Sequence, residues 1–381
     1  MDPKAFVSRD AGRVIHAENG YLAFIPAPLP PAIVWDTPLV VALSKADAAL
    51  SRLSGLGSQL PNPHLLIDPY ARREAVLSSR IEGTQASLSD LFLDEIAPER
   101  VEASRDDVRE VRNYVRALDY GVRRLGEVPL SLRLIRKIHA QLMEGARGGH
   151  ATPGEFRTSQ NWIGRPGSTI ETAEYVPPPP HEMTQSLGEW ERFLHERDAL
   201  PDLVQCALVH EQFEAIHPFL DGNGRIGRLL ITLFLVDRGR LCEPLLYLSA
   251  FFEQHRAQYY DTLQAVRTRG DWRAWLMFFL EGVAQVADRA AEQASELAEM
   301  RERFRHLVAG KPKALALVDE LFRSPMASAA SVAKQLRVSD PTARTAIAAL
   351  EGAGLLEEFT GRSWGKVWIA RPVIEVLERP L

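Results

Sequence analysis

The sequence predicts a mainly α-helical protein with a short β-hairpin flap near its middle and a small unit of three helices and a hairpin at its C-terminal end. Three observations predict it. Apolar residues recur at helical spacing from Leu39 to about Val308. One long stretch, Gly154 to Pro180, interrupts that pattern with alternating residues and a run of four prolines. From Lys313 onward the pattern shortens into brief helical runs followed by two alternating ones.

The elements follow in order. Residues 1–60 are expected to form an N-terminal arm, because Pro26, Pro28, Pro30 and Pro31 make its first part irregular. Residues 61–283 form the main helical domain, which opens with a helix over 68–83 and ends that helix at Gly83. Trp162-Ile163 and Tyr175-Val176 are the two sides of the flap. A helix starts near Gly224, where Leu229, Leu230, Leu233 and Phe234 take up helical spacing. Residues 284–310 read as a charged linker helix and 311–381 as the terminal unit. Within that unit, helices are expected over Ala314–Arg323, Ser331–Leu336 and Pro341–Gly352. Asp340 is the expected N-cap of the third and Pro341 its first residue. Leu355–Phe359 and Lys366–Ile369 read as strands.

Composition narrows the function. The chain has 381 residues, 46% hydrophobic and 25% charged, with a net charge of −5, which suits a soluble globular protein rather than a general nucleic-acid coat. The longest strongly apolar run, Leu229–Val236, is far short of the ~20 residues a membrane span needs. Charges from Asp2 to Arg13 leave no apolar signal segment. Cys206 and Cys242 sit among apolar residues and read as buried, reduced thiols, consistent with a cytoplasmic location.

The chemistry is concentrated between His217 and Arg228, in the string His-Pro-Phe-Leu-Asp-Gly-Asn-Gly-Arg-Ile-Gly-Arg. Gly222 and Gly224 permit backbone angles that turn N–H groups toward an anion, and the helix that follows adds its positive end. Arg225 and Arg228, three residues apart, can grip different phosphates. Asp221 is a hard oxygen donor suited to Mg²⁺, which takes one or two carboxylates plus substrate phosphates. Asn223 offers neutral hydrogen bonds. His217, with a reference pKa of about 6.5, can accept a hydroxyl proton near neutral pH. Together they point to in-line phosphoryl or nucleotidyl transfer onto a hydroxyl. His210-Glu211-Gln212-Phe213-Glu214 lacks the second histidine of a zinc-protease helix.

This string resembles the H-x-F-x-D-G-N-G-R-x-x-R signature of the Fic family of protein adenylyltransferases, with all eight fixed positions matching. The resemblance implies a Fic-type helical catalytic core over 61–283 and transfer of AMP from ATP to a Tyr, Thr or Ser hydroxyl. It implies that His217 is the base and that Asp221 holds Mg²⁺. Gly222 to Arg228, Ile226 and Gly227 included, would bind the nucleotide, with Asn223 and the loop amides on the phosphates and Arg225 and Arg228 on the β- and γ-phosphates. Phe219 reads as packing. Gln254, near the start of a later helix, is the implied wall of the adenine. Doc toxins of the same family differ in this part of the motif and act as kinases, so Gly224 favours AMP transfer.

Ser78-Ser79-Arg80-Ile81-Glu82-Gly83 resembles the family's inhibitory pattern, S/T-x-x-x-E-G/N. Ser78, Glu82 and Gly83 would then form a brake in which Glu82 takes Arg228 away from the γ-phosphate, two anions competing for one guanidinium. The flap would align a target segment by strand pairing, and Tyr175 is among the hydroxyls considered for self-modification. Target protein, self-modification and a homodimer are the expected partnerships, with no membrane. The terminal unit resembles a winged helix-turn-helix, whose third helix offers Arg344 against Glu351, so DNA binding competes with protein docking. Two other functions remain open at this stage: a DNA-binding regulator that only senses nucleotide, and a Fic enzyme with another donor specificity.

Overall fold

The computed structural model describes residues 1–380 except 19, 60–63, 146–151, 166 and 363. The expected boundary between residues 60 and 61 lies outside them. The chain opens with a hairpin, β1 (Gly12–His16) antiparallel to β2 (Leu22–Pro26), in register Val14 opposite Phe24. This corrects the expectation of an irregular arm. Pro26 is the last residue of the second strand, and Pro28, Pro30 and Pro31 follow it, so the prolines close the strand instead of preventing it. Phe24 N donates to Val176 O at 2.9 Å, which ties the hairpin to the end of the flap.

Helices α1 (Thr37–Gln59), α2 (His64–Ile81), α3 (Leu88–Ile96), α4 (Arg105–Leu125), α5 (Leu132–Leu142), α6 (Pro180–His195), α7 (Asp202–Ile216) and α8 (Asn223–Asp237) come next. Then follow α9 (Ser249–Gln254), α10 (Arg256–Arg269) and α11 (Trp272–Leu307). α7 and α8 form the centre: every residue of α7 from Leu203 to Ile216 is buried, as are most of α8. A helix buried on all faces shows no amphipathic stripe, and α7 accordingly buries Gln205, His210, Glu211, Gln212 and Glu214 along with its apolar residues. α4 and α5 cover one side of this pair, while α1 lies along α11.

α11 is a single 36-residue helix. Its second half, read as a linker, buries Val286, Ala287, Ala290, Ala294, Leu297, Met300 and Phe304. It is therefore a packed face, and the charges sit on the opposite side.

The terminal unit contains α12 (Pro312–Arg323), β3 (Met326–Ser328), α13 (Ala329–Leu336), α14 (Asp340–Gly352), β4 (Glu357–Glu358), β5 (Val367–Ile369) and α15 (Arg371–Glu378). Its sheet has the order β3-β5-β4, all antiparallel. β3 and α15 were not foreseen. Ser339, not Asp340, is the residue ahead of α14. Among the described residues no helix is long and apolar enough to cross a membrane.

Candidate active site

Pro218 has no N–H to continue α7, so the helix stops at Ile216 and His217 takes a left-handed conformation with φ +51°. A non-glycine residue held there is strained and must be fixed from outside. Arg157 does the fixing. It is buried, and its guanidinium donates to His217 O (2.9 Å), Pro178 O (2.5 Å), Ser159 O (3.3 Å) and Ile216 O (3.4 Å). It thus caps the C-terminal carbonyls of α7 with a cation and ties them to the flap. Asn161 Nδ2 adds a bond to Phe219 O at 2.8 Å.

The His217 ring is half-buried, with Nδ1 3.4 Å from Glu214 O. Burial first, then the charges of Arg267 and Arg157, push its pKa down to about 3, so the imidazole is neutral at pH 7.

The far side of the loop is held by His139 of α5. Its ring stacks on Phe219, centroids 3.7 Å apart and 8° from parallel. Gly154 N donates to His139 Nδ1 at 2.9 Å, so the ring proton sits on Nε2 and donates to Asp221 O at 3.0 Å. Burial lowers the His139 pKa to about 4, which preserves that acceptor. Asp221 presents an exposed carboxylate, with Oδ1 accepting from Gly222 N at 2.6 Å.

Gly222 has φ +79°, as the loop requires. Gly224 does not: it lies within α8, and its lack of a side chain serves space instead. A methyl group there would collide with the Glu82 carboxylate, and one at Gly227 with Glu214. The amides of Asn223, Gly224 and Arg225 belong to the first turn of α8 and have no carbonyl partner inside the helix. Ile226 N already bonds to Gly222 O at 3.0 Å, and the Ile226 side chain is fully buried.

Arg228 is buried and faces α2. Nε donates to Ser78 Oγ (2.9 Å), and Nη2 to Ser78 O (2.9 Å) and Glu82 Oε1 (2.6 Å). Burial works to lift the Glu82 pKa, but the charge and hydrogen bonds of Arg228 prevail and hold it below the usual value. Glu82 and Gly83 follow the last residue of α2, and Gly83 has φ +102°. Arg225 lies 3.6 Å from Glu110 and 3.5 Å from Asp221.

Two family profiles match the chain: the Fic/DOC family N-terminal profile over residues 40–123 and the Fic/DOC family profile over 129–235, which contains the whole loop. The chain belongs to the Fic family. It is 32% identical over 173 residues to the protein adenylyltransferase Fic of Aedes aegypti, covering 44% of this chain and 30% of the relative. The corresponding protein of Culex quinquefasciatus is 31% identical over the same length, again with 30% of that relative covered. The chain thus spans under a third of the length of these curated relatives. A Fic family protein from Desulfovibrio desulfuricans G20 shares the fold with a TM-score of 0.59 at 20% identity, covering 90% of this chain and 98% of that one. Fic-1 of C. elegans gives a TM-score of 0.50 at 21% identity, covering 69% and 75%.

Four side chains, one of them in the Fic loop, sit differently from what the sequence suggests. The Asn223 side chain turns into the loop: it is buried, with Oδ1 accepting from Phe219 N and Nδ2 donating to Phe219 O, both at 2.8 Å. It closes the loop on itself. Gln254, at the end of α9, lines a separate cavity of about 390 Å³ with Arg73, Arg80, Glu253 and Glu378, and no residue of 217–228 lines that cavity. Tyr175 is buried, its hydroxyl donating to Ala215 O at 2.7 Å, so it is no surface acceptor for modification. Cys242 is exposed, unlike Cys206. The flap itself is held by one antiparallel bridge between Ile163 and Tyr175. Arg157 and His139 were missed as site residues. Arg157 stood in view at the end of Gly154-Glu155-Phe156-Arg157, but nothing in the sequence ties it to carbonyls 60 residues away.

Proposed function

We propose that this chain is a protein adenylyltransferase that moves AMP from ATP to a Tyr, Thr or Ser hydroxyl of a target protein or of itself, and that Glu82 holds it off. The observation that carries this reading is the capture of Arg228 by Glu82 directly over the first turn of α8, beside a neutral His217.

His217 Nδ1 faces Glu214 O, which leaves Nε2 for the hydroxyl. The hydroxyl oxygen attacks the α-phosphorus, its proton passes to Nε2, and the bond between the α-phosphorus and the bridging oxygen breaks to release pyrophosphate. The free amides of residues 223–225 and the two guanidiniums receive the phosphates. A bound triphosphate also offsets the charges of Arg267 and Arg157, which raises the basicity of His217 where it is needed.

The donor set at the loop fits Mg²⁺: one exposed carboxylate, Asp221, beside a phosphate site, and among the described residues no cluster of three or more His, Cys, Asp or Glu to cage a metal. Asp221 would hold the ion, which would supply positive charge against the charge of the phosphates. Trp162, exposed beside the bridge between Ile163 and Tyr175, marks the side of the flap suited to strand pairing with a target segment. The similarity to proteins named adenylyltransferases supports the choice of reaction.

The test is incubation of the Glu82→Gly protein with ATP labelled at the α or the γ position, with His217→Ala in the same background as control. Label retained from the α position alone is expected, and lost in the control. Retention of γ label would instead make the chain a kinase, and retention of neither would remove the enzyme reading.

A further inference from the structure

The terminal unit has the element order helix, strand, helix, helix, strand, strand, with α13 and α14 joined through Arg337, Val338 and Ser339. Arg337 turns the corner with φ +50°. A three-residue turn between two such helices places the second where it can enter a groove. α14 buries Ala343, Ala346, Ile347 and Leu350 against the unit's own core. Its opposite face, Pro341, Arg344, Thr345 and Ala348, is exposed. Apart from Arg344 these side chains are short, so the backbone of α14 can approach a partner closely.

The unit carries five cations around its helix pair and hairpin: Lys334 and Arg337 before α14, Arg344 on its exposed face, and Arg362 and Lys366 on the loop between β4 and β5, whose Gly365 lies against Arg100. All are exposed, and none makes an ion pair among the described residues. This is unusual here, because most arginines elsewhere on the chain are paired with a carboxylate, as in Arg301 with Asp319 and Arg379 with Glu296. The nearby acids are largely occupied. Glu357 pairs with Arg371, Glu351 accepts from Trp368 Nε1 at 3.2 Å, and Glu358 folds back onto the amides of Thr360 and Gly361. Asp340 stands in the first turn of α14 and opposes the set. The same β4–β5 loop carries Trp364, 89% exposed, the most exposed large hydrophobic residue of those described.

We propose that the terminal unit binds duplex DNA, with α14 in the major groove and the β4–β5 loop as a wing along the adjoining backbone. Exposed cations without a carboxylate partner, on and just ahead of a helix whose outer face is otherwise short side chains, match the phosphates of a duplex. Arg344 is the one long donor on the groove-facing side and is placed to read a base edge, guanine being the usual partner. The wing's Arg362 and Lys366 hold phosphate, and Trp364 lies against the sugar edge. Because the chain as a whole carries a net charge of −5, binding must come from this local face. The proposal is independent of the transfer reaction.

Fluorescence anisotropy of a ~30-bp mixed-sequence duplex with the full chain at about 50 mM KCl tests it. Binding is expected, with log K falling against log salt at a slope of about −4, as four to five phosphate contacts require. Arg344→Glu with Arg362→Glu should weaken it by at least about tenfold, a change of ~1.4 kcal/mol, at an unchanged thermal midpoint. An absence of binding by the parent, equal binding by the charge-reversed variant, or tighter binding to an RNA hairpin than to the duplex would each overturn the assignment.

Discussion

Arg228 Nη2 stands 2.6 Å from Glu82 Oε1, across 146 residues of chain, and the same guanidinium also donates twice to Ser78. α2 and the residue that follows it therefore hold Arg228 by three bonds, of which only the one to Glu82 is ionic. Glu82→Gly removes the competing anion and leaves the two bonds to uncharged acceptors; Ser78→Ala removes one of those and leaves the ion pair. Because Glu82 alone brings a negative charge that competes with phosphate for the guanidinium, Glu82→Gly should raise AMP incorporation by about tenfold or more. Ser78→Ala should raise it by only about two- to fivefold. Radiolabel incorporation from α-labelled ATP decides this, and a larger rise from Ser78→Ala than from Glu82→Gly would contradict the brake.

His139 joins three parts of the loop: the ring of Phe219, the carbonyl of Asp221 and the amide of Gly154. His139→Phe keeps the stack and removes both polar bonds. It leaves the Gly154 N–H without its acceptor, at a cost of about 1–3 kcal/mol. The expected kinetic result is an Mg²⁺ requirement shifted upward by about tenfold with a smaller change in kcat, measured in the Glu82→Gly background. The variant should also flatten acid unfolding. His139 has its pKa lowered to about 4 by burial, so its contribution is present above the unfolded value of about 6.5 and is lost as pH falls toward 4. A purely structural role would lower stability without moving the Mg²⁺ titration.

The loop was legible because residue type alone carries its chemistry: a base, a carboxylate and two guanidiniums in twelve positions. The roles of its small residues were less so. Gly222 and Gly224 look alike in sequence, yet one supplies a left-handed turn and the other supplies room for Glu82. Asn223 has the same donors and acceptor whether it faces phosphate or, as here, Phe219. The residues that hold the loop were not legible, since Arg157 and His139 act on main-chain atoms, which leave no sequence signature. The N-terminal hairpin did leave one. Asn-Gly at 19–20 is a dipeptide type that favours hairpin turns, between the apolar stretches Val14-Ile15 and Leu22–Ile25, while Pro26, Pro28, Pro30 and Pro31 just after it favour irregular chain.

Glu214 is a buried carboxyl whose Oε1 finds no hydrogen-bond donor and rests against Gly227. Burial raises its pKa to about 7, against the pull of Arg228. A carboxyl with a raised folded pKa stabilises the fold fully below its unfolded value of 4.5, and that contribution is lost as pH rises through about 7. Glu214→Gln cannot ionise and should escape the loss. Urea unfolding at pH 5 and pH 8 should therefore show the variant gaining on the parent at the higher pH, by up to about 3 kcal/mol. A gain at the lower pH instead would mean that Glu214 is held ionised by Arg228.

The brake is also held from behind. α2 presents Ser78 to α8, and its other side meets the terminal unit: Asp68 pairs with Arg323 at 3.1 Å, and Arg73 Nη2 donates to Arg379 O at 2.9 Å. Tyr70 OH reaches Gln293 Oε1 at 3.2 Å, and Gln293 Nε2 in turn reaches Val376 O at 2.9 Å. The terminal unit thus fixes the register in which Glu82 meets Arg228. The Asp68–Arg323 pair is partly exposed, and such a pair contributes less than about 1 kcal/mol. Arg73→Ala with Arg323→Ala should therefore raise AMP incorporation only about two- to fivefold while Glu82 is present. In the Glu82→Gly background the same two substitutions should change nothing, because there is no longer a carboxylate to position. A rise of equal size in both backgrounds would show that the terminal unit acts on the catalytic loop directly and not through α2.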